Sequence, residues 1–264
     1  MNKIIDFHTH AFPDDIAHKA IVNIEKAGGI KSHHNGTISG LLKSMDESGI
    51  STSVICSIAT KPSQFYSIMN WSKKIRSDRI EPFLSFHPLD KDAIQHIKQI
   101  KNEGFLGIKL HPYYQDFFID EPAMFPFYAT IAELGLILII HSGYDFAFPQ
   151  IPRANPFRLL SVIKKIPSLR IIAAHLGGWQ QWDEVEKFLV GENIFFETSF
   201  SLNSVDLKTT KKIIIGHPHE KILFGSDSPW TDQKEALECF RQLQLPDNDT
   251  NLILKDNAEK LLML

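Results

Sequence analysis

Short, nearly continuous apolar runs recur along this chain, and each is separated from the next by a segment whose apolar positions return at helical spacing. The runs at 4–7, 52–57, 80–86, 105–110, 137–141, 170–174, 194–197 and 222–224 are rich in β-branched and aromatic residues. They predict eight strands buried on both faces. The segments 38–48, 65–76, 93–102, 124–134, 159–166, 185–190, 208–215 and 235–243 carry the three-to-four-residue periodicity of helices packed on one face, and a last such segment covers 248–262. Residues 14–36 form a longer first insertion, a helix followed by the loop His33-His34-Asn35-Gly36. Eight buried strands, each followed by a helix, predict an α/β protein folded as a parallel (β/α)8 TIM barrel. The 264 residues match the roughly 250 typical of that fold and are read as a single domain, 1–264, with no repeat, linker or low-complexity segment.

Composition narrows the function classes. With 43% hydrophobic and 22% charged residues the chain can bury a sizeable core, and a formal net charge of −3 with no basic block speaks against nucleic acid or an anionic membrane as partner. A small-molecule substrate is the expected partner. Asp6 interrupts the N-terminal apolar run before a signal core develops, and the run from Leu134 to Ile140 is too short to span a bilayer, so a cytoplasmic protein is expected. Cys56 and Cys239 form no CxxC pair and read as reduced, structural residues. Dimers are common among enzymes of this size, which keeps a homodimer among the expectations.

The ends of the predicted strands carry the chemistry. His8 and His10 follow the first strand, His87 the third, Lys109 and His111 the fourth, His141 the fifth, His175 the sixth and Asp227 the eighth. In a parallel barrel these ends converge on one pocket, so residues far apart in sequence become neighbours. Positions i and i+2 share one face of a strand, which places two imidazoles where they can grip one ion. His141 leaves an apolar strand into the small-residue turn Ser142-Gly143 and reads as a metal ligand. His175, before Leu176-Gly177-Gly178, reads as a proton-transfer residue. Asp227 follows a buried strand, where a lone carboxylate is costly unless paired or coordinating. Lys109 and His111 alternate onto the same face and, with Trp230, are assigned to substrate contact. Tyr113, Tyr114, Tyr144, Phe146, Phe148 and Trp179 fall in loops after strand ends, and Lys109 and Arg153 could meet a carboxylate, which favours a small aromatic or unsaturated acid or its ester, amide or lactone. Glu197, ending the seventh strand, is the one further acid placed to bind an additional metal. His87, before Pro88, reads as structural.

The set Asp6-x-His8-x-His10, Gly107-x-Lys109-x-His111-Pro112, His141-Ser142-Gly143, Ala174-His175-Leu176-Gly177-Gly178 and Gly225-Ser226-Asp227-x-Pro229 resembles the amidohydrolase superfamily. Within it, the chain is similar to the amidohydrolase-2 group, which includes aminocarboxymuconate-semialdehyde decarboxylase. The resemblance implies a metal-dependent hydrolase barrel in which His8, His10, His141 and Asp227 hold one divalent metal, usually zinc with manganese as the alternative. His175 would be the general acid/base, with Asp227 assisting proton transfer. Hydrolysis of a small carboxylated or aromatic molecule through a metal-activated water is the first expectation, and non-oxidative decarboxylation the close alternative. A TatD-like or phosphoesterase-like hydrolase and a non-catalytic metal-binding protein are the remaining readings. Lys109 also matches the position where two-metal members carry a carboxylated lysine.

Overall fold

The apolar runs pair as parallel strands in a computed structural model that describes residues 3–263. Strands β1 (Ile5–Thr9), β2 (Thr52–Cys56) and β3 (Ile80–Phe83) form one ribbon. Strands β4 (Gly107–Leu110), β5 (Ile137–Ile140), β6 (Arg170–Ala173), β7 (Phe195–Glu197) and β8 (Ile222–Leu223) form a second. Two seams join the ribbons into a ring. Leu84 N donates to Gly107 O at 3.1 Å and Lys109 N to Leu84 O at 2.7 Å, while Phe7 N donates to Phe224 O and Asp227 N to His8 O, both at 2.8 Å. The chain is therefore the (β/α)8 barrel that its sequence pattern predicts, closed by short bridges instead of full ladders. None of the helices among the described residues is long and apolar enough to cross a membrane.

The helices begin and end where side-chain chemistry dictates. In the first insertion, α1 (Asp14–Gly28) precedes α2 (Ile38–Ser48), where Thr37 accepts from Gly40 N and Gly49 takes a left-handed conformation at the far end. The helices α3 (Phe65–Ile75), α4 (Ala93–Asn102), α5 (Phe125–Glu133), α6 (Pro156–Lys165), α7 (Trp182–Phe188), α8 (Leu207–Gly216) and α9 (Gln233–Arg241) follow successive strands, with Asn155, Asp206 and Asp232 capping α6, α8 and α9. The predicted last helix is a run of three pieces: α10 (Asp247–Asn251), a π-helical turn (Leu252–Asp256) and α11 (Asn257–Leu262).

Strand alternation divides the apolar residues into two cores. Ile108, Leu110, Leu138, Ile140, Ile171 and Phe196 face outward and pack among helix residues such as Leu41, Met45, Ile97, Ile131, Leu159 and Ile213. Ile5, Phe7, Val54, Phe83, Ile137, Ile139, Ile172 and Leu223 fill the interior, joined by Ala258, Leu261 and Leu262 of α11. Lys109 shares the inward phase of its strand, as Glu197 does with Phe195, because alternate residues point to one side. On β1 strict alternation after Phe7 would turn His8 outward. The register of β1 on β2 shifts between Asp6 and Thr9, and this irregularity resets the phase so that Phe7 and His8 both reach the interior.

Candidate active site and metal centre

Three side chains from opposite ends of the sequence meet inside the strand ends. His8 Nε2 and His10 Nε2 lie 3.3 Å apart, and Asp227 Oδ1 stands 3.4 Å from the first and 3.2 Å from the second. Backbone and carboxylate acceptors fix both imidazole tautomers. His10 Nδ1 donates to the Cys56 carbonyl and His8 Nδ1 to Glu197 Oε1, each at 2.9 Å. Both Nε2 atoms therefore present lone pairs to one another and to Asp227 Oδ1, a buried oxygen with no hydrogen-bond partner among the described residues. Burial and the Lys109 ammonium hold His8 well below the ordinary imidazole range, so its ring is neutral.

The backbone around the trio is held in uncommon conformations. Asp227 has φ 69°, and His175 and Leu176 have φ 59° and 52°, in the left-handed region that non-glycine residues visit mostly where surrounding structure compels it. For Asp227 the surroundings are visible one turn earlier. Asp6, wholly buried, accepts from Ser226 N, Ser226 Oγ, Gln233 Nε2 and His8 N, fastening β8 and α9 to β1. Burial lifts its carboxyl to about 6 even against those hydrogen bonds.

Lys109 is 1% exposed, and its Nζ donates to His8 Nε2 at 3.0 Å. The obvious structural role for such a lysine is an ion pair, yet none of the ion pairs among the described residues includes it. Glu197, completely buried, serves four donors: His8 Nδ1, His175 N and Ser199 Oγ at Oε1, and Ser199 N at Oε2. It orients the His8 ring and is not one of the three side chains of the trio. Its inward phase on β7 was readable from the sequence; its partner His8, 189 positions away, was not.

His141 does not fall in the first group. Its ligand atoms gather instead with those of His111 and Asp145, all within 4.8 Å of one another and all buried. The His111 and His141 rings stack with centroids 4.1 Å apart. His141 Nδ1 meets His175 Nε2 at 2.9 Å, which links this second group to the wall facing His8, whose ring centroid is 5.4 Å from that of His175. Burial, followed by Lys109 for His111 and by His111 and His175 for His141, lowers both rings well below the ordinary range. Asp145 carries no periodic signal, being five residues past the end of β5 in an irregular loop.

Aromatic residues line the loops above. Tyr114 meets His111 edge-on at 4.7 Å and Phe148 at 4.9 Å, and Phe146, Trp179 and Phe200 form a separate cluster. Trp230, 8% exposed, lies three residues after Asp227, and its backbone N–H donates to the Asp227 carbonyl at 2.9 Å. Two side chains from the sequence reading are engaged elsewhere. Tyr113 donates to the Gly143 and Ile151 carbonyls, and Arg153 pairs with Asp116 at 2.5 Å. His87 accepts from Leu89 N within its own turn. At Gly143 (φ 83°) a Cβ would stand 2.1 Å from Trp179 N, so the loops after β5 and β6 are locked backbone to backbone.

A family model described as amidohydrolase matches residues 69–264. No curated protein matches the sequence. Among solved structures, an uncharacterised TIM-barrel protein from Bordetella bronchiseptica superposes with a TM-score of 0.78 at 19% identity, covering 99% of this chain and 98% of that one. The 5-carboxyvanillate decarboxylase of Sphingomonas paucimobilis gives 0.75 at 14% identity with 100% of both chains covered. The dihydroxybenzoic acid decarboxylase of Polaromonas sp. JS666, with bound manganese and the inhibitor 2-nitroresorcinol, gives 0.73 at 16%, covering 100% and 98%. At these identities the likeness establishes the fold.

Proposed function

Since the chain belongs to the amidohydrolase family, we propose that it is a metal-dependent, non-oxidative decarboxylase of a small aromatic or unsaturated carboxylic acid. Hydrolysis, the first expectation from sequence, gives way to the alternative, which the two decarboxylases of matching fold favour. The observation that carries the reading is Lys109, a buried lysine with no ion pair among the described residues, beside a trio of lone-pair donors. Such a cation asks for an anion from outside, and a substrate carboxylate supplies it.

The trio fits a divalent ion on chemistry and on spacing. Its edges of 3.2–3.4 Å compare with about 3.4 Å between ligands of a tetrahedral ion having bonds of about 2.1 Å. His8, His10 and Asp227 would hold the ion, and with two imidazoles and one carboxylate either manganese or zinc is accommodated. Such an ion supplies Lewis acidity that stabilises negative charge developing on the substrate. Lys109 pairs with the departing carboxylate, while His111, Tyr114 and Trp230 supply the surfaces against which a planar substrate packs. As the bond from ring to carboxylate breaks, its electron pair stays on the ring carbon and carbon dioxide leaves. A proton held at His175 Nε2 then completes the product, with Ser199 O accepting from Nδ1 at 3.1 Å to keep the ring aimed.

The test is to incubate manganese- and zinc-loaded protein with hydroxybenzoates, unsaturated dicarboxylates and their lactones, esters and amides. Metal-dependent release of carbon dioxide from an acid is the expected result. Acid released from an ester, lactone or amide, with no carbon dioxide from any acid, overturns decarboxylation. Glu197 provides a second check. Glu197→Gln removes the charge that fixes the His8 tautomer and sets an amide N–H2 against a buried donor, so metal affinity is expected to fall about 10–100-fold and the melting temperature of metal-free protein to fall with it. Unaltered affinity in a chelator-competition titration would separate Glu197 from the ion.

A further inference from the structure

The loop His33-His34-Asn35-Gly36, which ends the first insertion, lies against the turn that carries Asp227. Inside the loop, Asn35 Oδ1 accepts from Thr37 N at 3.2 Å and from Thr37 Oγ1 at 2.8 Å, so the start of α2 braces it. Gly36 O accepts from Phe12 N at 2.8 Å, which ties the loop to the chain leaving β1. Two contacts then reach the barrel mouth. His33 N donates to Pro229 O at 2.8 Å, and His34 Nε2 meets Ser228 Oγ, 194 positions away, at 3.0 Å.

The direction of the His34 contact follows from its other nitrogen. Burial, with His33 beside it, lowers His34 to about 4, so at neutral pH the ring is uncharged and has one hydrogen. Nδ1 accepts from Gly36 N at 3.1 Å and is the lone pair. The hydrogen is on Nε2, and the imidazole donates to the Ser228 hydroxyl.

Ser228 passes that contact on. Its N–H donates to Ser226 Oγ at 3.0 Å, and its carbonyl accepts from His10 N at 2.6 Å. It therefore touches the backbone of one residue of the trio and is covalently joined to another, Asp227. Asp227 holds its left-handed φ of 69° only while the surrounding chain compels it. The barrel fastens this turn through β1 and Asp6, and the insertion fastens it from a separate element, through Ser228 Oγ and Pro229 O.

We propose that His34 is a positioning residue for the metal centre: through Ser228 it fixes the turn that aims the Asp227 carboxylate at His8 and His10. The inference rests on the His8–His10–Asp227 reading and is independent of the reaction the pocket performs. What the position requires is a hydrogen-bond donor where Nε2 stands.

Chelator-competition titration of manganese or zinc into metal-stripped protein tests it, with two variants that split the imidazole. Glutamine sets an amide N–H2 near the place of Nε2, and asparagine an amide oxygen near that of Nδ1. His34→Gln can therefore still donate to Ser228, while His34→Asn keeps the acceptor for Gly36 N and loses the donor. His34→Asn is expected to bind the ion about 10-fold more weakly than wild type, and His34→Gln within about 2-fold of it. Ser228→Ala is expected to match His34→Asn, and the two together to weaken binding no further, as for a single shared interaction. Circular dichroism confirms each fold. Wild-type affinity in folded His34→Asn overturns the role, and a loss in His34→Gln as large as that in His34→Asn, or larger, assigns His34 to bracing its own loop instead. Should His34→Asn not fold, Ser228→Ala decides, and wild-type affinity there overturns the role. Full affinity in His10→Ala would remove the trio and this proposal with it, whereas lost affinity in His10→Ala beside wild-type affinity in His34→Asn removes His34 alone.

Discussion

Asp227→Asn is expected to lose its ion at concentrations that saturate the wild type, and to turn over at least about 1,000-fold more slowly, a barrier increase of roughly 4 kcal/mol. The substitution is nearly isosteric, and asparagine tolerates the left-handed conformation that residue 227 adopts at φ 69°, so the loop after β8 keeps its course. What disappears is charge. This carboxylate is the only acidic side chain in the trio, the other two being imidazoles. Two imidazoles and an amide oxygen leave a divalent ion with both charges uncompensated by its ligands. Metal analysis beside steady-state kinetics measures both effects, and a variant that keeps wild-type affinity and rate would show that Asp227 neither binds the ion nor acts in the reaction.

His175→Asn is expected to behave differently: turnover falls by about 100- to 10,000-fold while the metal content of the His8–His10–Asp227 site is retained. Asparagine again suits the positive φ of 59° and can still donate toward Ser199 O, so orientation survives while the titratable nitrogen is gone. The contrast with Asp227→Asn separates holding the ion from moving the proton. Retained turnover with retained metal removes His175 from proton transfer, and loss of both would reassign it as a ligand. Solvent isotope incorporation adds an independent readout, since the hydrogen entering the product in place of carbon dioxide should come from water through His175.

Much of this architecture was legible in the chain. Helices over 38–48 and 93–102 coincide with α2 and α4, and the alternation of outward Ile108 and Leu110 with inward Lys109 follows from a period of two that no tertiary contact needs to specify. The convergence of His8, His10 and Asp227 followed from barrel topology, because parallel strands deliver their C-terminal ends to one face. His141 shows where such reasoning stops. Its strand end was located correctly, but a strand end fixes position to within a few ångströms and leaves open which nitrogen faces which neighbour. Arg153 shows the same limit, since its loop position suggested the pocket and Asp116, 37 positions earlier, claims its guanidinium.

The sequence by itself determined the order of strands and helices, the side of each strand that is apolar, and the chemical identity of the groups gathered at the barrel mouth. These follow from periodicity and chain connectivity, which are local properties. Only the tertiary structure decided the phase shift in β1 that turns His8 inward beside Phe7, the pinning of imidazole tautomers by the Cys56 carbonyl and Glu197, the placing of Lys109 against His8 with no ion pair among the described residues, and the division of the histidines into two clusters. Each depends on a hydrogen bond or contact between segments remote in the chain. The direction of a lone pair is set by the partner across the barrel, and no local pattern encodes that partner.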